Sequence, residues 1–514
     1  MRFEYLKNGR GSSKVEFMSK SIDEMIYEFM EKEGIPGLSL AIVQAPYIPR
    51  VVGYGVTDLE SKRLVSSKTI WPIGHISQGF TAVAIMQLLE KGMLNLEDPI
   101  SKYLKNISKK WKDITIFQLL QHSSGIEDYM KVNSFDLQKC YSVNQLLDSI
   151  NKDNLKFEPG TDVEISATNF LLLTEIIETI THENYEDFVK ENQIEYLGLK
   201  NTFFTSNLKE LKQDDLVLGN GLHELFKSDK DYINPSETTK GYKEENGEYI
   251  LRPNPMEKNA AGKGFSDIWA STENISFWDI ALAGSILIKK SENRDLVYKP
   301  SKLKNKKIVP GMAGWCFFKH KGLMDIKGSI PGYSTFLSRF TDKSELVCVT
   351  LIANKEGIDL TELARKIAGA FDKNLSKIKN PEKFYTYESS FNFQDTIERI
   401  EKEIKNLNIP IFAKFDHSLN AKEVDLNLRE TTVIVFGSPK SGTSLMQEDQ
   451  TIAIELPLKF LIFEDEDGSV FIEFKFLESL MEDYYITDYK KIKNMNNLLK
   501  RITRKAASIY NTID

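Results

Sequence analysis

The stretch Trp71–Gly92, WPIGHISQGFTAVAIMQLLEKG, constrains this chain more than any other. It reads as a strand end, a tight turn at Pro72 and Gly74, and then a helix. From Phe80 onward, Ala82, Val83, Ile85, Met86, Leu88 and Leu89 leave almost no polar stripe. A helix apolar nearly all round belongs inside a large domain. Gly92 is placed to end it, as a glycine in the left-handed conformation commonly does. A buried helix that opens out of a turn aims its N-terminus at a cleft.

Composition sets the outer bounds. The 514 residues suffice for two or more domains. With 41% hydrophobic and 27% charged residues, the chain has an ordinary globular composition. A net charge of -7 argues against a nucleic-acid partner. Cys140, Cys316 and Cys348 are odd in number and far apart, which fits neither a disulfide framework nor zinc-ligand spacing. No metal and no cofactor is expected. The opening MRFEYLKNGRGSSKVEF holds no apolar core of signal-peptide length. No apolar run reaches the length of a membrane span. The expectation is a cytoplasmic protein without one.

Five segments follow from the pattern. Residues 1–18 are a polar extension. Residues 19–374 form the main domain. It starts with a capping box at Ser21 and Glu24 and an amphipathic helix carrying Ile22, Met25, Ile26, Phe29 and Met30. Two strands, LSLAIVQ and RVVGYGVTD, make a hairpin around Pro46 and Pro49, ahead of a buried helix over 77–91. Residues 93–200 are mostly helical, and 205–260 suit a polar excursion or lid. Three or four alternating strands and a helix over 358–374 close the domain. A polar linker, 375–382, leads to a small α/β domain at 383–478. The basic tail at 479–514 places Ile492, Met495, Leu499 and Ile502 on one helical face. A basic amphipathic helix can lie on an anionic membrane. Without a Trp or Phe anchor, this one is read as packing on its own domain.

Several motifs carry a resemblance. WPIGHISQGFTA is similar to FxIGSxSKxFTA, and MLNLEDPISKYL and ITIFQLLQHSSGI to LxLDDPVxKYLP and ITIRxLLxHTSGL. FEPGTDVEISATNFLLL is similar to PGxxFxYSNxNFxLLG. Residues 19–374 thus resemble the serine β-lactamase and penicillin-binding-protein superfamily, in its class C and esterase-like branch. The resemblance implies an α/β (α+β) fold, an antiparallel sheet flanked by helices with an all-helical subdomain. The last part of the chain, from FGSPKSGTSLM to IAIELPLKFLIFEDEDGSV, resembles a small bacterial α/β domain family with no established activity.

The resemblance also implies where the chemistry should be. Its nucleophilic Ser falls on His75 and its Lys on Gln78. The Tyr and Asn of its second motif fall on Ile165 and Ala167, with Ser166 and Asn169 serving the turn. The cleft His of its closing strand falls on Ile326, followed by Lys327, Gly328 and Ser329. Period 2 puts Ile326 and Gly328 on one face and Lys327 on the other, so Lys327 does not replace the missing group. Ser77 points away from position 75. His122, at a helix end, is read as structural.

Acyl-enzyme chemistry needs a nucleophile and a proton acceptor acting as a unit, and losing the nucleophile alone costs about 10⁶ in rate. Neither the usual Ser–Lys–Tyr mechanism nor β-lactam acylation is expected. The oxyanion donors that the resemblance implies are main-chain N–H groups, here those of His75 and Ser329. They survive side-chain replacement, and the helix N-terminus favours an anion. The first reading is therefore a pseudo-hydrolase whose cleft binds a small carboxylate or carbonyl ligand, or a protein partner. A second is an isomerase, lyase or cyclase using His75, kept neutral by the helix N-terminus, as donor or base; the plainer account is that position 75 drifted. A third is a two-domain scaffold. One look-alike, Gly437–Ser444, suggests a phosphate loop, but a P-loop would need Lys at Thr443.

Overall fold

The computed structural model describes the chain apart from residues 1–6, 12–15, 18–19, 45–46, 106, 137–138, 151–153, 211–237, 254–259, 298–300, 304–307, 310–315, 318–322, 341–346, 372–383, 466–467, 478–479, 481–483, 485 and 509–514. It divides near residue 376 into two compact units.

A seven-stranded antiparallel sheet organises the first unit. Its strands are β1 (Lys7–Gly11), β2 (Gly37–Gln44), β3 (Tyr47–Gly55), β4 (Cys316–Phe317), β5 (Leu323–Ile330), β6 (Tyr333–Phe340) and β7 (Val347–Ala353). They lie in the order β1-β3-β2-β7-β6-β5-β4. N-terminal and C-terminal strands thus meet at the β2–β7 pair, where Leu40 faces Leu351. Central strands buried on both faces need helices on both sides. Helices α1 (Ile22–Glu33), α2 (Ser77–Glu90), α3 (Ala167–Thr181), α4 (Thr272–Ala283) and α5 (Thr361–Gly369) surround this sheet and one another. Ile26 and Met30 of α1 and Leu363 and Ile367 of α5 share one core with Leu40, Ile42, Val349 and Leu351 of the sheet. On α4, Thr272 Oγ1 meets Ser39 Oγ of β2 at 2.9 Å.

The sequence signals at the start of the domain act as read. Ser21 and Glu24 make both bonds of the capping box, and Gly34 closes α1 with φ +61°. Buried Arg50 on β3 pairs with Asp23 of α1, which also accepts from the Tyr54 hydroxyl at 2.7 Å. Four closing strands are present, and the last helix is shorter than expected, Thr361–Gly369 instead of 358–374. Pro46 of the expected hairpin turn and most of the expected lid, 211–237 and 254–259, lie outside the described residues. Between the latter, Gly241–Glu245 and Glu248–Arg252 pair as a hairpin.

Helix α2 is buried along nearly its whole length. Gly79 lets it approach α4: a Cβ there would come 2.8 Å from the Trp278 ring. Phe80 stacks on the same indole at 4.4 Å. Gly92 ends the helix with φ +70°, as its position in the sequence predicts.

In the second unit the strands are β8 (Phe384–Ser389), β9 (Ile411–Asp416), β10 (Thr431–Phe436), β11 (Leu458–Glu464) and β12 (Val470–Lys475). They form an antiparallel sheet in the order β8-β12-β11-β10-β9. One face of it shares a core with helices α6 (Phe393–Asn406) and α7 (Tyr489–Ala507). Ile492, Leu499 and Ile502 of α7 are buried there and Met495 packs beside them, so the tail belongs to this unit's core. The look-alike segment forms the short helix Pro439–Met446 after β10. An antiparallel sheet lacks the parallel βαβ setting of a P-loop.

Candidate functional site

The site is built where the turn before α2 meets β5. Gly74 takes φ +55°, a left-handed conformation that favours glycine. A single 3-10 turn, Gly74–Ile76, then delivers His75 to the helix start. Across from it lies Gly328 of β5. A Cβ at Gly328 would sit 2.1 Å from Thr335 Oγ1 and 2.9 Å from the His75 nitrogen, so only glycine allows this approach. Thr335 Oγ1 in turn donates to the Ile73 carbonyl at 3.1 Å. Ser329, half-buried, follows in register with Ser334.

His75 is half-buried, with its ring 4.6 Å from that of Phe265. Desolvation lowers its pKa from the usual 6.5 to about 4, partly opposed by a hydrogen bond to the Lys327 main chain. Burial thus favours the neutral imidazole at pH 7, the form that the sequence reading expects at a helix N-terminus.

One turn later on α2, Gln78 is fully buried and its Oε1 lies 2.9 Å from His122 Nε2. His122 Nδ1 accepts the Ser166 N–H at 3.2 Å and lies 3.2 Å from Asn169 Nδ2. A main-chain N–H can only donate, so the histidine proton sits on Nε2 and is donated to Gln78 Oε1. Asn169 is fixed from its other end, where Oδ1 accepts from Ser124 Oγ at 2.6 Å. Burial, with His75 and Lys131 nearby, lowers the His122 pKa to about 3. His122 is therefore not a cation placed against helix carbonyls: it is a neutral link between α2 and the start of α3, held at φ +57° after the helix Ile116–Leu120.

The other sequence-derived positions divide by face. Ile165 and Ala167 are buried at the start of α3, and the Ala167 N–H donates to Asp128 Oδ1 at 3.2 Å. Just outside them, Lys131 and Lys156 both engage Glu164 at 2.8 Å. Ile326 is buried on β5 opposite Leu337. Lys327 points to the other side, its Nζ 3.7 Å from Asp359 and 5.9 Å from the Phe336 ring centre. Ser77 is used up structurally, accepting the Ile268 N–H at 3.2 Å. Among the described residues no cluster of three metal-ligating side chains occurs.

Sequence reasoning read His122 as structural without its partners, and passed over Phe265 and Asp267. His122, Ser123 and Ser124 are buried polar residues that follow an apolar helix. Phe265 and Asp267 lie in GKGFSDIW, a segment the resemblance does not account for. Asp267 Oδ2 accepts the Gly264 N–H at 2.9 Å, and burial raises its pKa to about 7.

An antiparallel sheet between helical layers, with a buried helix opening at its N-terminus onto the closing strands, is the arrangement expected of a β-lactamase-like fold. The chain belongs to the Beta-lactamase family, which matches residues 22–368, and carries at residues 385–509 the domain of unknown function DUF302. Protein flp of Staphylococcus aureus (strain MW2) is 31% identical over 199 residues, 38% of this chain and 40% of that protein. Penicillin-binding protein 4* of Bacillus subtilis (strain 168) is 25% identical over 311 residues, 59% of this chain and 64% of that protein. The chain therefore spans less than two thirds of the length of these curated relatives. Among solved structures, the octameric penicillin-binding protein homologue from Pyrococcus abyssi aligns with a TM-score of 0.56 at 20% identity, covering 88% of this chain and 89% of that one. No described helix is long and apolar enough to cross a membrane.

Proposed function

We propose that this protein is a catalytically degenerate member of its family that binds a small ligand through a carbonyl or carboxylate in the former active-site cleft. One observation carries the reading: the side chain in the lysine position, Gln78, is an amide hydrogen-bonded to a neutral His122. An amide does not take a proton from a nucleophile near neutral pH, and no serine hydroxyl stands at position 75. The close approach of Gly328 to the His75 nitrogen supports an oxyanion-type site built from main-chain N–H groups. Ile165, Ala167 and Ile326 would give that cleft apolar walls. The buried free thiol of Cys348 fits a reducing compartment such as the cytoplasm. The second domain, from about residue 383, would act as an interaction or sensing module.

Reuse of His75 as a general base is the weaker reading. A base works best with a pKa near the operating pH, and His75 lies near 4. The test is incubation with a fluorescent penicillin and with a fluorophosphonate, followed by mass spectrometry of the intact protein. No adduct is expected on any serine of the cleft, and a stoichiometric adduct there overturns the proposal.

A further inference from the structure

The segment Gly437–Ser444 is no P-loop, yet it borders a cleft in the second domain. The short helix Pro439–Met446 and the N-terminal half of α7 enclose about 350 Å³ there. Small-molecule sites are clefts of about 300–1,000 Å³ with apolar walls and a few polar groups. This one has both characters. Met495 and Leu498, half-buried against the domain core, give it an apolar floor. Ser441, Lys490, Lys491 and Asn494 line it with polar side chains.

The charges of the lining are unbalanced. Helix α7 carries seven Lys or Arg and no Asp or Glu, in a chain of net charge -7. Among the described residues, neither Lys490 nor Lys491 forms an ion pair. The carboxylate of the lining, Asp488, is occupied as the helix cap, where it accepts the Lys491 N–H at 3.0 Å. Glu448, another acid within reach of the Lys491 charge, accepts the Thr487 N–H at 2.7 Å and its hydroxyl at 2.9 Å. An anion entering the cleft thus meets two lysines whose charge no carboxylate holds in contact.

We propose that this cleft binds a phosphate monoester bearing an apolar group, its phosphoryl oxygens toward Lys490, Lys491 and Ser441 and its apolar group against Met495 and Leu498. The donors decide the class. Among the described residues no arginine lines the cleft, so a planar carboxylate has no bidentate partner. The three oxygens of a phosphate can meet separate lysines and a hydroxyl at once, lysine serving as a point charge. A phosphate monoester carries about -1.5 to -2 charge at pH 7, which two lysines balance. The site lies wholly in the second domain and does not depend on the reading of the first domain's cleft.

The test uses the full chain with isotopically labelled methionine methyl groups, the Met495 signal being assigned by its loss in Met495→Leu. Phenyl phosphate is the probe, with inorganic phosphate and benzoate beside it. A saturable shift of the Met495 methyl by phenyl phosphate is expected, weakening as salt rises. Inorganic phosphate and benzoate should each bind at least tenfold more weakly. Lys490→Gln combined with Lys491→Gln should weaken phenyl phosphate at least tenfold. Ser441→Asp, which sets a carboxylate in the cleft, should do as much, both at an unchanged melting temperature. Co-sedimentation with phosphatidylcholine vesicles only when they contain phosphatidate, and lost in the double-lysine variant, identifies the ester as a lipid headgroup. Binding of phenyl phosphate without co-sedimentation identifies a soluble ester. No Met495 shift, or equal binding by the double-lysine variant, overturns the site. Tighter binding of benzoate overturns the phosphate class, and equal binding of inorganic phosphate overturns the apolar half.

Discussion

The two sides of this cleft are made of different material. On the side of His75, the defining groups are main chain: the nitrogen of residue 75, the left-handed Gly74 and the bare Cα of Gly328. On the side of Gln78 they are side chains, an amide, an imidazole and a carboxamide joined end to end. On the proposed reading, side chains have been replaced at both His75 and Gln78, while the main-chain groups of the first side do not depend on side-chain identity.

The largest effect should come from breaking the main-chain side. Gly328→Val places a Cβ into Thr335 Oγ1 and against the His75 nitrogen, and overpacking of this kind costs about 1–3 kcal/mol. A lowered urea midpoint at unchanged slope would confirm it; an unchanged midpoint would show that β5 and the turn can part freely. On the side-chain side, His122→Leu removes one ring and leaves the Ser166 N–H, the Asn169 amide and Gln78 Oε1 without it. We expect a loss of about 2 kcal/mol in chemical denaturation, since each buried group left unpaired costs about 1–3 kcal/mol and some will find other partners.

Asp267, two residues after Phe265, sharpens the comparison through pH. Its folded pKa of about 7 lies above the ordinary 3.8, so the folded state holds a proton that the unfolded chain has released. Stability from this group is therefore lost as pH rises from about 4 to 7. The two histidines act in the opposite direction. Their folded values of about 4 and 3 lie below 6.5, so they add stability as pH rises toward 6.5. Asp267→Asn should gain on the unsubstituted protein across pH 4–7 and hold the gain above it, by about 1–2 kcal/mol and within a ceiling of about 4. Melting curves at pH 5 and pH 8 decide it, and a gain confined to pH 5 would reverse the sign assigned here.

The smallest effect belongs to His75→Ser. The ring is half-buried, so a stability change within about 1 kcal/mol is expected. The substitution restores a hydroxyl on the intact main-chain side, yet Gln78 still offers no base. Fluorescent penicillin should therefore leave this variant unlabelled, and labelling at position 75 would show that the side-chain half is dispensable.

Much of this was legible in local sequence. The strand–turn–helix around Gly74, the capping box at Ser21, the alternation that turns Lys327 away from Ile326 and the apolar stripe of the tail are all short-range patterns, and each appears as expected. His122 was not legible as part of the site, because its role depends on Gln78 and Ser166, each 44 residues away. Phe265 reaches His75 from 190 positions along the chain, through a loop with no periodic signal. The desolvation that favours a neutral His75 was not legible either, since it depends on what packs over the ring.

By itself the sequence determined which segments become strands and helices, where α2 begins and ends, and that the lysine position holds an amide. These follow from side-chain periodicity, glycine and residue identity, which act within a few residues. Only the tertiary structure decided that the amide is held by a histidine, and which buried groups keep or lose their protons. Hydrogen-bond satisfaction and desolvation are properties of enclosed space, and that space is closed by residues far apart in the chain.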